Sequence, residues 1–355
     1  MTSRKTLPGL ILAAGLILTG RAEAAPTPPA IAKIARAALP AVVDIESIDP
    51  MKPKPDNGAA TTPGEGQVQK TDTRTADGSS LIIPPRAEQA LGTGFFISKD
   101  GYIVTNHHVI AGASEIKVTL HDGRIYTAKL VGADTKADLA VLKINTGHPD
   151  PYLTFGNSGA LELGDWVVAI GNPFGLGFSV SAGVVSALHR DIGSGPYDNF
   201  IQTDAAINRG NSGGPMLDAN GHVVGVDSAI YSPSGGSVGI GFAIPSSMVK
   251  PVADALIAHG AMIRGWAGLR IEHVSADMRR AWHLKSANGV VIGGVVASGP
   301  ADGKLAPADI ITAVNGHPIT DVHSFKVALA EIPAGQPAHL AYTIDGSTHA
   351  AAITI

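Results

Sequence analysis

The chain contains no cysteine. Disulfides, thiolate metal sites and cysteine nucleophiles are therefore excluded, and in an oxidising compartment nothing in the chain can mispair. Aromatic residues make up only 5% of the sequence and charged residues 16%, with a net charge of −4, so the basic footprint of a nucleic-acid-binding protein is missing. Past residue 24 no apolar run approaches the roughly 20 residues that a membrane-spanning helix needs. Glycine is what the chain has in abundance, 43 residues of 355, in a sequence that is 45% hydrophobic. Many short apolar runs separated by glycine-rich turns favour a mainly β body over a helical one. The length suggests two or three domains.

The N-terminus has the layout of a cleavable export signal. Arg4 and Lys5 are followed by an apolar stretch from Leu7 to Thr19, then by the small-x-small pattern Ala22-Glu23-Ala24. Residues 1–24 are thus expected to be a signal peptide. Residues 25–30 are proline-rich, and residues 31–39 repeat apolar side chains at helical spacing up to Pro40. A strand is expected at 41–48. Residues 49–90 then lose their apolar content and read as a long flexible insertion. From there strands follow at short intervals, with hairpin turns at Asp100-Gly101 and Asp122-Gly123. The stretch "SSMVKPVADALIAHG" has helical periodicity and closes the first unit, residues 25–260. Residues 261–355 form a second, small α+β unit with a helix at "DVHSFKVALAEI" and a terminal hairpin.

Three strings carry chemistry. "TNHHVI" (105–110) holds adjacent histidines, His107 and His108. "ADLAVLKI" places Asp138 at the head of an apolar strand. "GNSGGP" (210–215) sets Ser212 among glycines. A serine hydroxyl is a poor nucleophile until a base takes its proton; histidine is the natural base near neutral pH; a carboxylate fixes its tautomer. Glycines beside the serine let backbone N–H groups converge to stabilise an oxyanion. Each string alone reads as an ordinary turn, cap or structural histidine. Together, in the order His, Asp, Ser, they follow the chain order of chymotrypsin-like double barrels. The histidine pair is not accompanied by a metal signature, so no metal and no cofactor is expected.

The stretches "GTGFFISKDGYIVTNHHVI", "DTKADLAVLKI", "AIGNPFGLGFSVSAGVVSALHR", "NFIQTDAAINRGNSGGPMLDANGHVVGV" and "GGSVGIGFAIPSSMVK" resemble the HtrA (DegP/DegQ) family of exported serine endopeptidases. The resemblance is close over residues 91–250. It implies a trypsin-like double β-barrel followed by one PDZ domain. It also implies His108 as base, because the family motif is Thr-Asn-x-His-Val, with Asp138 as its orienting partner and Ser212 as nucleophile. By the same resemblance Gly210 and Ser212 supply the oxyanion N–H groups. The segments Ala205 to Asn211 and Ser228 to Ser237 form activation loops, and Gly175 to Gly177 relays activation. The neutral Asn211 cannot pair with a new N-terminus, so activation is expected from loop rearrangement. Ala205, Asn211, Ala229 and Ile230 are expected to surround the pocket for the residue before the scissile bond. "DSAIY" offers no deep acidic base for Lys or Arg, which implies cleavage after small aliphatic residues such as Val, Ala or Ile.

In the second unit "GWAGL" resembles a PDZ carboxylate loop, with Trp266, Ala267, Gly268 and Leu269 receiving a peptide C-terminus. The family's Gly-Asp pair is replaced by Ala308-Asp309. The implied function is a periplasmic endopeptidase degrading unfolded or damaged envelope proteins, assembled as a homotrimer. A chaperone or peptide-binding scaffold with minor or silent proteolysis is the alternative reading.

Overall fold

The computed structural model describes residues 30–48 and 90–355, except Ser234, Lys285 and Asp345. The expected signal at 1–24, nearly all of the proline-rich start and the 49–90 insertion up to residue 89 lie outside the described residues. Helix α1 (Ile31–Ala38) runs into a 3₁₀ turn at Leu39–Ala41. Its apolar face, Ile34, Ala35 and Ala38, is buried within this chain.

The first barrel is built from β1 (Val42–Ile48), β2 (Ala90–Phe96), β3 (Tyr102–Thr105), β4 (Glu115–Thr119), β5 (Ile125–Thr127), β6 (Lys129–Asp134) and β7 (Leu139–Lys143), with the single helical turn α2 (His107–Ile110) after β3. The strands are ordered β5-β4-β1-β2-β3-β7-β6. The two outermost strands, β5 and β6, are separated only by Ala128, whose N–H donates to the Ile116 carbonyl (2.8 Å), so the sheet curls back on itself. Period-two alternation fills it: Val43 and Ile45 of β1 point inward with Phe96, Ile103 and Leu142, while Val42 points to the other side.

The second barrel is closed, in the order β10-β13-β12-β11-β8-β9. Its strands are β8 (Trp166–Gly171), β9 (Ser179–Arg190), β10 (Phe200–Thr203), β11 (Pro215–Leu217), β12 (Val223–Ile230) and β13 (Gly241–Pro245). Strand β9 begins several residues before the expected "GVVSALHR". The first three residues of the loop expected at 228–237 continue β12 instead. Between the barrels one apolar cluster joins Phe95, Val104 and Val141 to Ile170, Leu217 and Val226, and to Val249, Val252 and Leu256 of helix α3 (Ser246–His259). Burying each such side chain contributes about 1.5–3 kcal/mol, which locks the two barrels together. Helix α3 ends where its sequence indicates, at Gly260 in the left-handed region (φ 72°).

The last unit is an antiparallel sheet of β14 (Leu269–His273), β15 (Val290–Val295), β16 (Ile310–Val314), β18 (Pro337–Ile344) and β19 (Ser347–Thr354), with the short β17 (His317–Pro318) pairing β16. Helix α5 (Val322–Ala330) starts at a capping box between Asp321 and Ser324 and buries Phe325 and Val327. A further turn of helix, α4 (Ala276–Ala281), was not expected. It buries no residue, so it carries no apolar period, and only its Ser275 cap marks it. Ala308 adopts φ 75°, a conformation that glycine takes without strain.

Arg264 joins this unit to the first barrel. Its backbone bridges Pro333, and its guanidinium engages both carboxylate oxygens of the buried Asp134 and lies 4.3 Å from the centroid of the Tyr197 ring. Further along, Glu331 accepts from Ser247 Oγ (3.2 Å), and His323 Nε2 lies 2.5 Å from the Asp198 carbonyl oxygen.

Candidate active site

The first barrel presents His108 and Asp138. Extended backbone at Asn106 breaks β3, and α2 turns the two histidines in different directions. Asp138, at the entrance of β7, has φ 53°. That left-handed bend lets one residue grip α2 twice. Its carbonyl accepts from His107 N–H (3.1 Å) and Asn106 Nδ2 (2.9 Å). Its carboxylate accepts from His108 N–H at Oδ1 (2.9 Å) and meets His108 Nδ1 at Oδ2 (2.7 Å). An Nδ1–H donated to the carboxylate leaves Nε2 as the free acceptor, the tautomer a general base requires. The His107 imidazole has no hydrogen-bond or ion-pair partner among the described residues.

The second barrel presents Ser212 on the tight turn between β10 and β11. Gly210 has φ 105° and Gly213 φ 89°. A Cβ on Gly213 would sit 2.1 Å from the Thr93 carbonyl oxygen, so the turn packs directly on the first barrel. Among the described residues the N–H groups of Gly210 and Ser212 have no protein acceptor, whereas those of their neighbours Asn211, Gly213 and Gly214 are all engaged. Two free donors flanking one nucleophile make an oxyanion site chemically available.

Three residues that the sequence did not single out hold this arrangement. Ser228 donates its hydroxyl to Asp138 Oδ2 (3.0 Å), and its carbonyl accepts from Ser212 Oγ (3.2 Å), so it touches both halves of the site. Thr93 donates to the Gly210 carbonyl (2.6 Å) and accepts from Asn172 N–H (3.0 Å). Thr105 donates to the Thr93 carbonyl (2.8 Å). Nothing local in these hydroxyl residues signals the role; only the fold brings them in.

Of the expected pocket residues, Ala205 is buried in one apolar cluster with Ile207 and Met216, and Ile230 packs against it. Ala229 packs to the opposite side of β12, in the cluster between the barrels. Asn211 is 3% exposed, and its Oδ1 has no partner. The "DSAIY" stretch holds a buried acid that the sequence reading did not weigh. Its first residue, Asp227, is a fully buried carboxyl with no hydrogen-bond partner on either oxygen, and burial pushes it well above the ordinary carboxylate range. Next to the Gly175–Gly177 segment, Phe174 reaches the nucleophile turn: its N–H donates to the Arg209 carbonyl (2.9 Å).

In the second unit Trp266 is exposed, Ala267 is buried, Gly268 bends at φ 71°, and Leu269 starts β14 opposite Val295. The N–H groups of Trp266 to Gly268 have no protein acceptor among the described residues. Among the described residues no group of three or more His, Cys, Asp or Glu converges to hold a metal, and no helix is long and apolar enough to cross a membrane.

Comparison with known proteins follows the same division. Residues 92–226 match the profile of the trypsin-like peptidase domain and residues 268–355 that of the PDZ domain. A probable periplasmic serine endoprotease DegP-like of Rhizobium meliloti is 47% identical over 73% of this chain and 51% of its own length. One of the same description from Chlamydia trachomatis is 41% identical over 91% of this chain and 67% of its own length. The chain thus spans about half the length of several of the relatives it matches. Among solved structures, the HtrA-type protease AlgW with a tripeptide superposes with a TM-score of 0.69 at 36% identity, over 92% of this chain and 96% of that one. With its double barrel, its His108–Asp138 pair linked through Ser228 to a glycine-flanked Ser212 and its appended sheet, the chain belongs to the HtrA/DegP-like family of trypsin-like peptidase domains joined to a PDZ domain.

Proposed function

We propose that this protein is a periplasmic serine endopeptidase that degrades unfolded or damaged envelope proteins through an acyl-enzyme. The observation that carries the reading is the His108 Nδ1 to Asp138 Oδ2 contact of 2.7 Å, set against a nucleophile loop with two unengaged N–H donors. In this mechanism His108 Nε2 takes the Ser212 proton as Oγ attacks the scissile carbonyl. Asp138 stabilises the imidazolium, and the oxyanion is received by Gly210 and Ser212 N–H. His108 then returns the proton to the leaving amine, and water repeats the sequence on the ester. At rest the Ser212 hydroxyl points to the Ser228 carbonyl. Substrate binding has to redirect it to His108, in keeping with control by the surrounding loops and with the neutral Asn211.

Small aliphatic residues before the scissile bond suit the apolar surroundings of Ala205 and Ile230, with Asn211 and Ala229 flanking. Trp266, Ala267, Gly268 and Leu269 are assigned to a peptide C-terminus added beside β14, the carboxylate taken by free backbone N–H groups. The periplasmic placement rests on the descriptions of the relatives and on the export signal at 1–24. Assembly as a homotrimer is the family expectation, and a mass measurement in solution tests it.

The decisive experiment compares the wild type with Ser212→Ala on an unfolded protein such as casein, alongside labelling by a serine-directed phosphonate. Cleavage and labelling are expected in the wild type and absent in the variant. Undiminished cleavage by Ser212→Ala sinks the assignment of the nucleophile. A wild type that neither cleaves nor labels replaces the peptidase by a peptide-binding scaffold.

A further inference from the structure

Asp227 has no counterpart in the mechanism above, yet it lies one residue from its centre. It pairs across β12 and β13 with Ala243. Directly opposed residues of paired strands share a face, and Ala243 belongs to the apolar cluster that contains Ala205, Ile207 and Met216 and receives Ile230. The Asp227 carboxyl therefore enters the interior of the second barrel on the side where Ala205 and Ile230 meet. Its main chain is strapped to the nucleophile turn. Asp227 N–H donates to the Gly214 carbonyl (2.9 Å), and its own carbonyl accepts from Gly213 N–H (2.7 Å). The next residue, Ser228, receives the Ser212 hydroxyl.

Among the described residues no cation pairs with the group. Strands β11 and β13 carry no titratable side chain, Arg209 of the nucleophile turn is exposed, and Lys250 of α3 pairs at the surface with Asp254. A carboxylate buried among Ala, Ile and Met side chains takes up a proton and becomes a neutral acid, with one O–H to donate and oxygens to accept. Both oxygens lack a partner in the protein itself. A buried polar group left unpaired is destabilising, and such groups are rare away from sites where something else completes them.

We propose that Asp227 is the polar end of the pocket for the residue before the scissile bond, and that it admits short hydroxyl side chains, threonine and serine, alongside aliphatic ones of the same size. This rests on the peptidase reading and changes its specificity. Threonine and valine fill the same volume and differ by one hydroxyl. A wholly apolar pocket leaves that hydroxyl unsatisfied and rejects threonine; a neutral carboxyl at its end pairs with it.

The test uses the full chain and two peptides identical except for threonine or valine before the scissile bond. Their kcat/KM values are compared in the wild type, Asp227→Val and Asp227→Asn, with phosphonate labelling of Ser212 to show that each variant keeps a folded site. The wild type is expected to cleave the threonine peptide within about threefold of the valine peptide. Asp227→Val should lower the threonine-to-valine ratio by about tenfold or more. Asp227→Asn, which retains a donor and an acceptor, should hold the ratio within about threefold of wild type. A ratio that Asp227→Val leaves unchanged in a protein that still labels overturns the proposal. So does a lysine peptide cleaved faster than both, which would make Asp227 a cation receptor. A wild type that neither labels nor cleaves either peptide overturns the peptidase reading and this proposal with it.

Discussion

Asp138 and Asp227 share a neighbour in Ser228, which donates to the first and follows the second along the chain, and they are treated in opposite ways. Asp138 has both carboxylate oxygens and its carbonyl engaged, by His108 twice, by Ser228, by Asn106 and by the His107 main chain. Its side chain is 30% exposed. Asp227 has no exposure and no side-chain partner. The first barrel thus delivers its acid–base pair braced before any substrate arrives, with Asn106 Oδ1 the atom beside it left unpaired. The second barrel leaves polar atoms unpaired, at Asp227 and at Asn211 Oδ1. In this fold rigidity belongs to the acid–base pair and unpaired polar atoms gather beside the nucleophile turn.

The comparison is broken most severely by Asp138→Asn. The amide cannot hold the His108 tautomer, and kcat should fall by about 10⁴ while the fold persists, measured on a peptide substrate with a circular dichroism control. Ser228→Ala removes one donor to the ionised carboxylate. A charge-assisted hydrogen bond of about 1.5–3 kcal/mol predicts a loss of roughly tenfold to a hundredfold in kcat/KM. If the loss is less than twofold, the brace on Asp138 does not include Ser228.

Asp227 sharpens the contrast through pH. Because its carboxyl is raised in the folded state, the folded protein holds a proton that the unfolded chain gives up at about pH 4. Its contribution to stability is therefore fully present at acid pH and is lost as pH rises toward the folded value. Asp227→Asn should match the wild type in melting temperature at about pH 4 and surpass it progressively above that; a constant offset contradicts an unpaired buried acid. Ala308→Gly relieves a left-handed alanine. It should stabilise the PDZ unit by about 0.5–1 kcal/mol, read as a rise in its melting midpoint. His107→Ala should move activity least, within about twofold, since only the main chain of His107 bonds Asp138.

The strings around His108, Asp138 and Ser212 were legible because each is local: a turn with a required residue, placed by strand periodicity. Helix α3 and its Gly260 stop were legible for the same reason. What the sequence concealed depends on long-range partnership. Thr93 reaches Gly210 across 117 residues, and Arg264 reaches Asp134 across 130. A hydroxyl or guanidinium in either place looks like any solvated side chain until the barrels close. Asp227 misled in a different way. Nothing local in "DSAIY" says which way the aspartate faces; the register with β13 turns it inward.

Arg264 bears on how the molecule can be divided. Its backbone bridges Pro333 of the last unit, while its side chain holds Asp134 of the first barrel and lies over Tyr197 of the second. A chain shortened to end at Gly260 keeps every strand of both barrels, yet it strips Asp134, only 6% exposed, of its counter-ion. Removing one partner of a buried pair costs about 3–5 kcal/mol, a large share of a domain's stability. Loss of activity in such a truncation would report a stranded carboxylate in the first barrel rather than any need for the peptide groove, and ending the chain beyond Arg264 separates the two.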